Sequence, residues 1–123
     1  MAKHNDFGRH SEIMAQNYLM SIGYKILETN WRSGHKEIDI IAKDENIIVF
    51  VEVKSRTNDI FAKPEDAVNF KKIKNIVRAA NTYLISHNIE NDSRFDIITL
   101  LLMPSGEYKI EHIKDAFIAP LGI

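Results

Sequence analysis

The segment Ile47–Lys54 (Ile-Ile-Val-Phe-Val-Glu-Val-Lys) constrains the fold more than any other part of the chain. Its residues are apolar at odd and even positions alike until Glu52, and a strand that is apolar on both faces is typical of the interior of a sheet covered by helices. Because strand side chains alternate, Glu52 and Lys54 share one face while Val51 and Val53 take the other. The segment therefore predicts a central strand that ends in two charged side chains.

A second acidic residue stands in the preceding apolar segment. Asp39 lies among aliphatic residues in Glu37–Ile41, one hairpin before the central strand, so it can face Glu52 across that hairpin. A buried carboxylate is unfavourable unless it is paired or bound to a metal. Two carboxylates supply oxygen ligands for Mg²⁺, which polarises a phosphodiester and activates a water, and a lysine can position that water. The pattern predicts such chemistry at Asp39, Glu52 and Lys54.

Two plainer interpretations of these charges stay open. Glu52 and Lys54 could form an exposed ion pair on one face of an edge strand. Asp39 could simply pair with Arg32 or Lys36. Either arrangement would account for the charges without a metal, so the placement of the carboxylates decides the matter.

The hydrophobic spacing along the rest of the chain predicts the element order αβββαββ, a mixed sheet with helices packed on it. The predicted elements are a helix over about 6–22, strands over 24–31, 37–43 and 47–55, a helix over about 65–87 that begins after Pro64, and strands over 94–103 and 108–113. The first three strands form an antiparallel meander, and the last is an edge strand. At 123 residues the chain has room for one core, so a single domain over 1–123 is expected.

Composition narrows the class of protein. The chain has no cysteine, which excludes disulfides and thiolate metal sites, and its longest apolar runs are too short to cross a bilayer. A cytoplasmic protein that does not associate with membranes is expected. The formal net charge of −1 argues weakly against non-specific nucleic-acid binding, although one stretch is basic. The basic residues of that stretch are Lys63, Lys71, Lys72, Lys74 and Arg78.

At these residues the sequence resembles the PD-(D/E)XK nucleases, the restriction-endonuclease-like superfamily. That fold has an αβββαβ core with an Asp on its second strand and a Glu-x-Lys on its third. A closer resemblance, from about Gly8 to Ile98, is to the YraN family of uncharacterised bacterial proteins, which is assigned to the same superfamily. The landmarks are Gly8 with Glu12, Asn30–Arg32, Glu37–Ile41, Phe50–Arg56, Ala67-Val68, Lys72, Ala79-Ala80, Tyr83-Leu84 and Arg94–Ile97.

The resemblance implies a site for Mg²⁺ or Mn²⁺ held by Asp39 and Glu52, with the Val53 carbonyl as a backbone ligand. It also implies that Glu12 could add a carboxylate from the first helix, as in archaeal Holliday-junction resolvases. A solvent-facing helix charge is the alternative for Glu12. Two departures from the family pattern are visible, because the family usually has glycine where this chain has Ser11 and Lys36. Lys36 leaves the shape of the local turn open.

Other polar residues have candidate roles. Arg56 and Lys72 could contact nucleic-acid phosphates, and Lys72 could instead support the site from the long helix. The alternatives are a plain surface arginine and a solvated lysine. Arg94 and Asp96 are expected to pair at the entrance of a strand. The five histidines show no zinc-ligand spacing.

The leading functional hypothesis is a Mg²⁺- or Mn²⁺-dependent endonuclease that hydrolyses DNA phosphodiester bonds, with branched or repair intermediates as candidate substrates. A second hypothesis is a non-catalytic module that uses a nuclease fold to bind nucleic acid or protein. A third is a scaffold that forms a homodimer through the edge strand at 108–113.

Overall fold

The computed structural model describes residues 2–57 and 70–117, and over these the element order is αβββαββ, as predicted. The elements are α1 (Ala2–Ser21), β1 (Lys25–Ser33), β2 (Lys36–Asp44), β3 (Ile47–Thr57), α2 (Phe70–Ser86), β4 (Ser93–Leu102) and β5 (Tyr108–Phe117). β3 extends two residues beyond the predicted strand end at residue 55. The predicted start of the second helix, after Pro64, lies outside the described residues.

The described strands form one mixed sheet in the order β1-β2-β3-β4-β5. β1, β2 and β3 are an antiparallel meander, β3 and β4 run parallel, and β4 and β5 are antiparallel. The parallel step needs a crossover connection, which contains α2. β3 is therefore flanked by two strands and β5 lies at an edge, so the predicted central and edge strands and the αβββαβ core are confirmed.

Both faces of β3 are covered because its apolar side chains alternate between two cores. Val49 and Val51 pack in the core that contains Ala15 of α1. Ile48 and Phe50 pack in the core that contains the buried residues of α2. The two helices thus cover opposite faces of the sheet, and the even-numbered residues of β3 face α2.

The two departures from the family pattern fit the fold. Ser11 is buried and stands four residues before Ala15 on the face of α1 that packs on the sheet. Lys36 pairs with Ser33 across the turn at Gly34, whose φ of 63° is readily adopted by glycine. The hairpin between β1 and β2 closes with Lys36 in place. Over the residues that the structure describes, no helix is long and apolar enough to cross a membrane.

Candidate metal centre

Asp39 lies where the ladder between β2 and β3 is interrupted. The ladder ends at the pair Ile40 and Val51, although both strands continue beyond it. Asp39 Oδ2 accepts a hydrogen bond from the backbone N–H of Val53, with 2.8 Å between the two atoms. Ile38 packs under α2 and Ile40 under α1, so the alternation of side chains is altered at Asp39. The carboxylate replaces a backbone carbonyl as the ladder partner and is held between the strands.

The carboxyl group of Glu52 lies within hydrogen-bond reach of Asp39. Glu52 is only 5% exposed and lies on the central strand, so its interpretation as an exposed edge-strand charge is wrong. Arg32 forms an ion pair with Glu37, with 3.6 Å between Nε and Oε1. Burial, and after it the charge of Glu52, raises the pKa of Asp39 well above its usual range. Two acids this close do not both ionise readily without a nearby cation.

One such cation comes from α2, where Lys72 Nζ forms an ion pair with Glu52 Oε2. Burial alone would lower the pKa of Lys72, but the hydrogen bond and the charge of Glu52 outweigh it and raise that pKa. Lys72 is 44% exposed, so it is partly solvated and also paired with Glu52. With both acids ionised, this single ammonium would still leave the pair with a negative charge.

A cavity of about 200 Å³ opens beside the two acids. Its lining residues are His35, Lys36, Glu37, Asp39, Glu52, Lys72, Asn75 and Ile76. Since a water molecule takes up about 30 Å³ of the liquid, the space is sufficient for an ion with several waters. His35, in the turn between β1 and β2, is one of these lining residues.

The structure leaves the other predicted site residues outside this cavity lining. Lys54 and Arg56 are partly buried and follow Glu52 at two-residue intervals on β3, which places them on the α2 side of the sheet. The backbone of Val53 does face the gap beside Asp39, because the N–H and C=O of a strand residue point toward the same neighbouring strand.

Glu12 lines a neighbouring cavity of about 400 Å³, which shares Glu37 with the first. Burial, only partly offset by a hydrogen bond with Asn30, raises the pKa of Glu12, and the charges of Glu37 and Glu52 add to this. Over residues 2–57 and 70–117, no three histidine, cysteine or acidic side chains converge in a way that could hold a metal ion. The structure therefore brings Asp39 and Glu52 together but does not add Glu12 to them as a third ligand.

The donor set present fits a hard divalent cation of the Mg²⁺ type. Mg²⁺ is commonly bound by one or two carboxylates, with waters and substrate phosphates completing its coordination. Asp39 and Glu52 supply two carboxylates whose mutual repulsion a divalent ion would relieve. The carbonyl of Val53 is available on the same side of β3.

Sequence reasoning missed two contacts of buried acids. The sequence predicts Lys72 only as a phosphate contact or a support for the site, although it is a landmark of the family pattern and the described part of its helix, Phe70–Ser86, has no acidic residue. His112 went unassigned, yet its Nε2 lies 2.7 Å from Oδ2 of Asp96. The predicted pairing of Arg94 and Asp96 is confirmed, with 3.0 Å between Nε and Oδ1.

Comparison with known proteins gives a consistent family match. The model of the uncharacterised protein family UPF0102 matches residues 11–100. A UPF0102 protein of Bacteroides thetaiotaomicron is 50% identical over 121 residues, which cover 98% of this chain and 99% of that protein. One from Parabacteroides distasonis is 49% identical over 120 residues, 98% of each chain. One from Clostridioides difficile is 50% identical over 113 residues, 91% of this chain and 94% of that protein.

Proposed function

The chain belongs to the uncharacterised protein family UPF0102, and we propose that it is a metal-dependent nuclease that hydrolyses phosphodiester bonds of DNA. UPF0102 is the YraN family, so the family resemblance drawn from the sequence is confirmed. The family description names no reaction. The proposal therefore depends on the site itself, and on one observation above all. Two acids from adjacent strands lie within hydrogen-bond reach of each other beside an open cavity.

In the proposed reaction, some groups of the site would bind the metal ion and others would hold those ligands in position. Asp39 and Glu52 would hold Mg²⁺ or Mn²⁺, with the Val53 carbonyl as a further ligand. Such an ion polarises the phosphodiester and lowers the pKa of a bound water. The Val53 N–H fixes the Asp39 carboxylate, and Lys72 fixes Glu52 through its ion pair. The products would be one phosphate end and one hydroxyl end.

Two lysines compete for the role of stabilising charge on the phosphate. Lys54 has the position that the superfamily pattern implies, on the same face of β3 as Glu52. Lys72 has its ammonium in the cavity, in contact with Glu52. We propose that Lys54 acts on the attacking water or the phosphate, and that Lys72 keeps Glu52 ionised and oriented.

Cleavage assays with matched variants test the proposal. Purified protein is incubated with linear, single-stranded and branched DNA in Mg²⁺ or Mn²⁺. Glu52→Gln should lower the cleavage rate by about 100-fold or more, because a metal ligand is lost. Glu111→Gln on β5 is the control, since Glu111 is an exposed acid two strands away from Glu52 and outside the lining of its cavity. Equal cleavage by the wild type and Glu52→Gln would assign the activity to a contaminant or to another site.

The lysines are separated by Lys54→Met and Lys72→Met. Loss of kcat in Lys54→Met with metal affinity retained would support its proposed role. Lys72→Met should weaken metal binding and cleavage together, because Glu52 loses the group that orients it. If Lys72→Met lowers only kcat and Lys54→Met has no effect, the ammonium that acts on the phosphate comes from α2 instead.

A non-catalytic binding module is the second candidate. Within the described part of the chain the two acids gain no third carboxylate ligand, which favours a weak or substrate-dependent metal site. Salt-dependent DNA binding that survives Asp39→Asn, together with no cleavage in either metal, would favour this candidate over the nuclease.

A further inference from the structure

The described part of α2 carries positive charge only. Its residues Phe70–Ser86 include four cations, Lys71, Lys72, Lys74 and Arg78, and no acidic side chain, whereas the whole chain has a formal net charge of −1. Lys72 contacts Glu52, while the other three are three and four residues apart and form one row along the helix. Neighbours in such a row are about 5–6 Å apart.

This row borders a groove of about 290 Å³, which we name the α2 groove. It is lined by Phe70, Lys71, Lys74, Asn75 and Arg78, so none of its lining residues is acidic. Asn75 also lines the cavity beside Asp39 and Glu52, so the two depressions adjoin at that residue. A polyanion lying in the α2 groove would reach the two acids without leaving the protein surface.

Phe70 gives the groove a second kind of contact. Its side chain is 63% exposed, and the ammonium of Lys74 lies 5.6 Å from the centre of its ring. A single exposed apolar residue needs no explanation by itself. An aromatic ring within a cationic groove, however, is the combination with which proteins bind unpaired nucleotides, since bases stack on the ring while cations follow the backbone.

We infer that the α2 groove binds a single-stranded segment of nucleic acid, with its phosphates along Lys71, Lys74 and Arg78 and a base stacked on Phe70. A duplex offers its base faces to neighbouring bases, so only an unpaired nucleotide can stack in this way. The inference rests on the proposed function, because the strand held here is the one that would enter the cavity of Asp39 and Glu52. It adds that the substrate contains unpaired nucleotides.

Fluorescence anisotropy in EDTA tests the inference, because binding is then measured without cleavage. The probes are a labelled single-stranded oligonucleotide of mixed sequence and the blunt duplex of the same sequence. The single strand should bind at least about tenfold more tightly, and Phe70→Ala should remove about that factor for the single strand alone. Phe70→Trp should retain the affinity, which shows that a ring is what the site requires.

Charge reversal tests the cationic row. Lys74→Glu should weaken binding and flatten its salt dependence, whereas Lys109→Glu, an exposed lysine on β5, should leave both unchanged. Equal affinities of the wild type and Phe70→Ala for the single strand would overturn the inference. Equal losses in Lys74→Glu and Lys109→Glu would also overturn it, because binding would then follow net charge alone.

The two proposals fail separately. Phe70-dependent binding of single strands without cleavage in Mg²⁺ or Mn²⁺ would support the α2 groove and contradict the nuclease. Cleavage that depends on Glu52 but not on Phe70 or Lys74 would support the nuclease and contradict the α2 groove.

Discussion

Asp39 and Asp96 lie on the two strands that flank β3. Asp96 is fully buried and Asp39 is partly buried, and their surroundings are opposite. Asp96 accepts hydrogen bonds from Arg94 Nε at 3.0 Å, His112 Nε2 at 2.7 Å and the backbone N–H of Asp115 at 3.0 Å. Asp39 accepts one from the backbone of Val53 and faces a second acid. The hydrogen bonds to Asp96 offset the loss of water around its carboxylate, whereas that to Asp39 does not.

The pKa directions follow from this difference. Burial alone would raise the pKa of Asp96, but the hydrogen bonds from His112 and Arg94 outweigh it and hold that pKa below the usual range. Burial and the charge of Glu52 act together on Asp39 and raise its pKa. A buried acid with complete partners stabilises a fold, whereas one with incomplete partners is poised for a ligand. We therefore interpret Asp96 as structural and Asp39 as functional.

The largest expected effect is a loss of folding stability when Asp96 is replaced. Asp96→Ala leaves Arg94 and His112 without their common partner, so the free energy of unfolding should fall by about 3–5 kcal/mol. Urea denaturation measures this, with Glu111→Gln as the surface control, expected to change stability by less than about 0.5 kcal/mol. A loss of less than about 1 kcal/mol in Asp96→Ala would mean that this cluster is not structural.

Replacement of Asp39 is expected to raise the free energy of unfolding, whereas replacement of Asp96 lowers it. Asp39→Asn keeps an acceptor for the Val53 N–H and removes the repulsion with Glu52, so the free energy of unfolding in EDTA should rise by about 1 kcal/mol. The same urea experiment measures it. A loss of stability comparable to that of Asp96→Ala would contradict this difference and would show that Asp39 is a structural residue as well.

A smaller expected effect is that Asp39 and Asp96 change folding stability in opposite directions as the pH rises. The folded-state pKa of Asp96 is lowered, so the ionised carboxylate contributes its full share to folding stability above the unfolded-state pKa of about 3.9. That stabilisation is lost as the pH falls below this value. The folded-state pKa of Asp39 is raised, so its ionisation destabilises the fold as the pH rises above about 3.9. Thermal melting in EDTA should show the deficit of Asp96→Asn shrinking with acid and the advantage of Asp39→Asn growing toward neutral pH. Parallel curves for both variants would contradict this.

Much of the site could be predicted because a tight hairpin fixes the register of β2 and β3. Asp44 pairs with Ile47 and Ile40 with Val51, so Asp39 and Glu52 follow as the next opposed residues. The apolar run of β3 likewise identified the central strand, since only a strand covered on both faces needs that pattern.

The contacts that were missed depend on packing between distant segments. Whether Lys72 reaches Glu52 depends on how α2 is rotated against the sheet, which hydrophobic spacing fixes only to within a residue or so. The contact of His112 with Asp96 depends on the register of β5, which shifts between Phe95 and Ile97. The hydrogen bond from Val53 to Asp39 forms because the ladder between β2 and β3 ends at that point. No local sequence pattern predicts such an interruption.

The central claim is that Asp39 and Glu52 share one divalent ion, and calorimetric titration with Mn²⁺ tests it most directly. We expect one ion per wild-type chain and a loss of affinity of at least about tenfold in Asp39→Asn and Glu52→Gln, because each variant removes a ligand. Glu111→Gln should bind as the wild type does. Unchanged Mn²⁺ binding in Asp39→Asn, in a protein that remains folded, would contradict the claim.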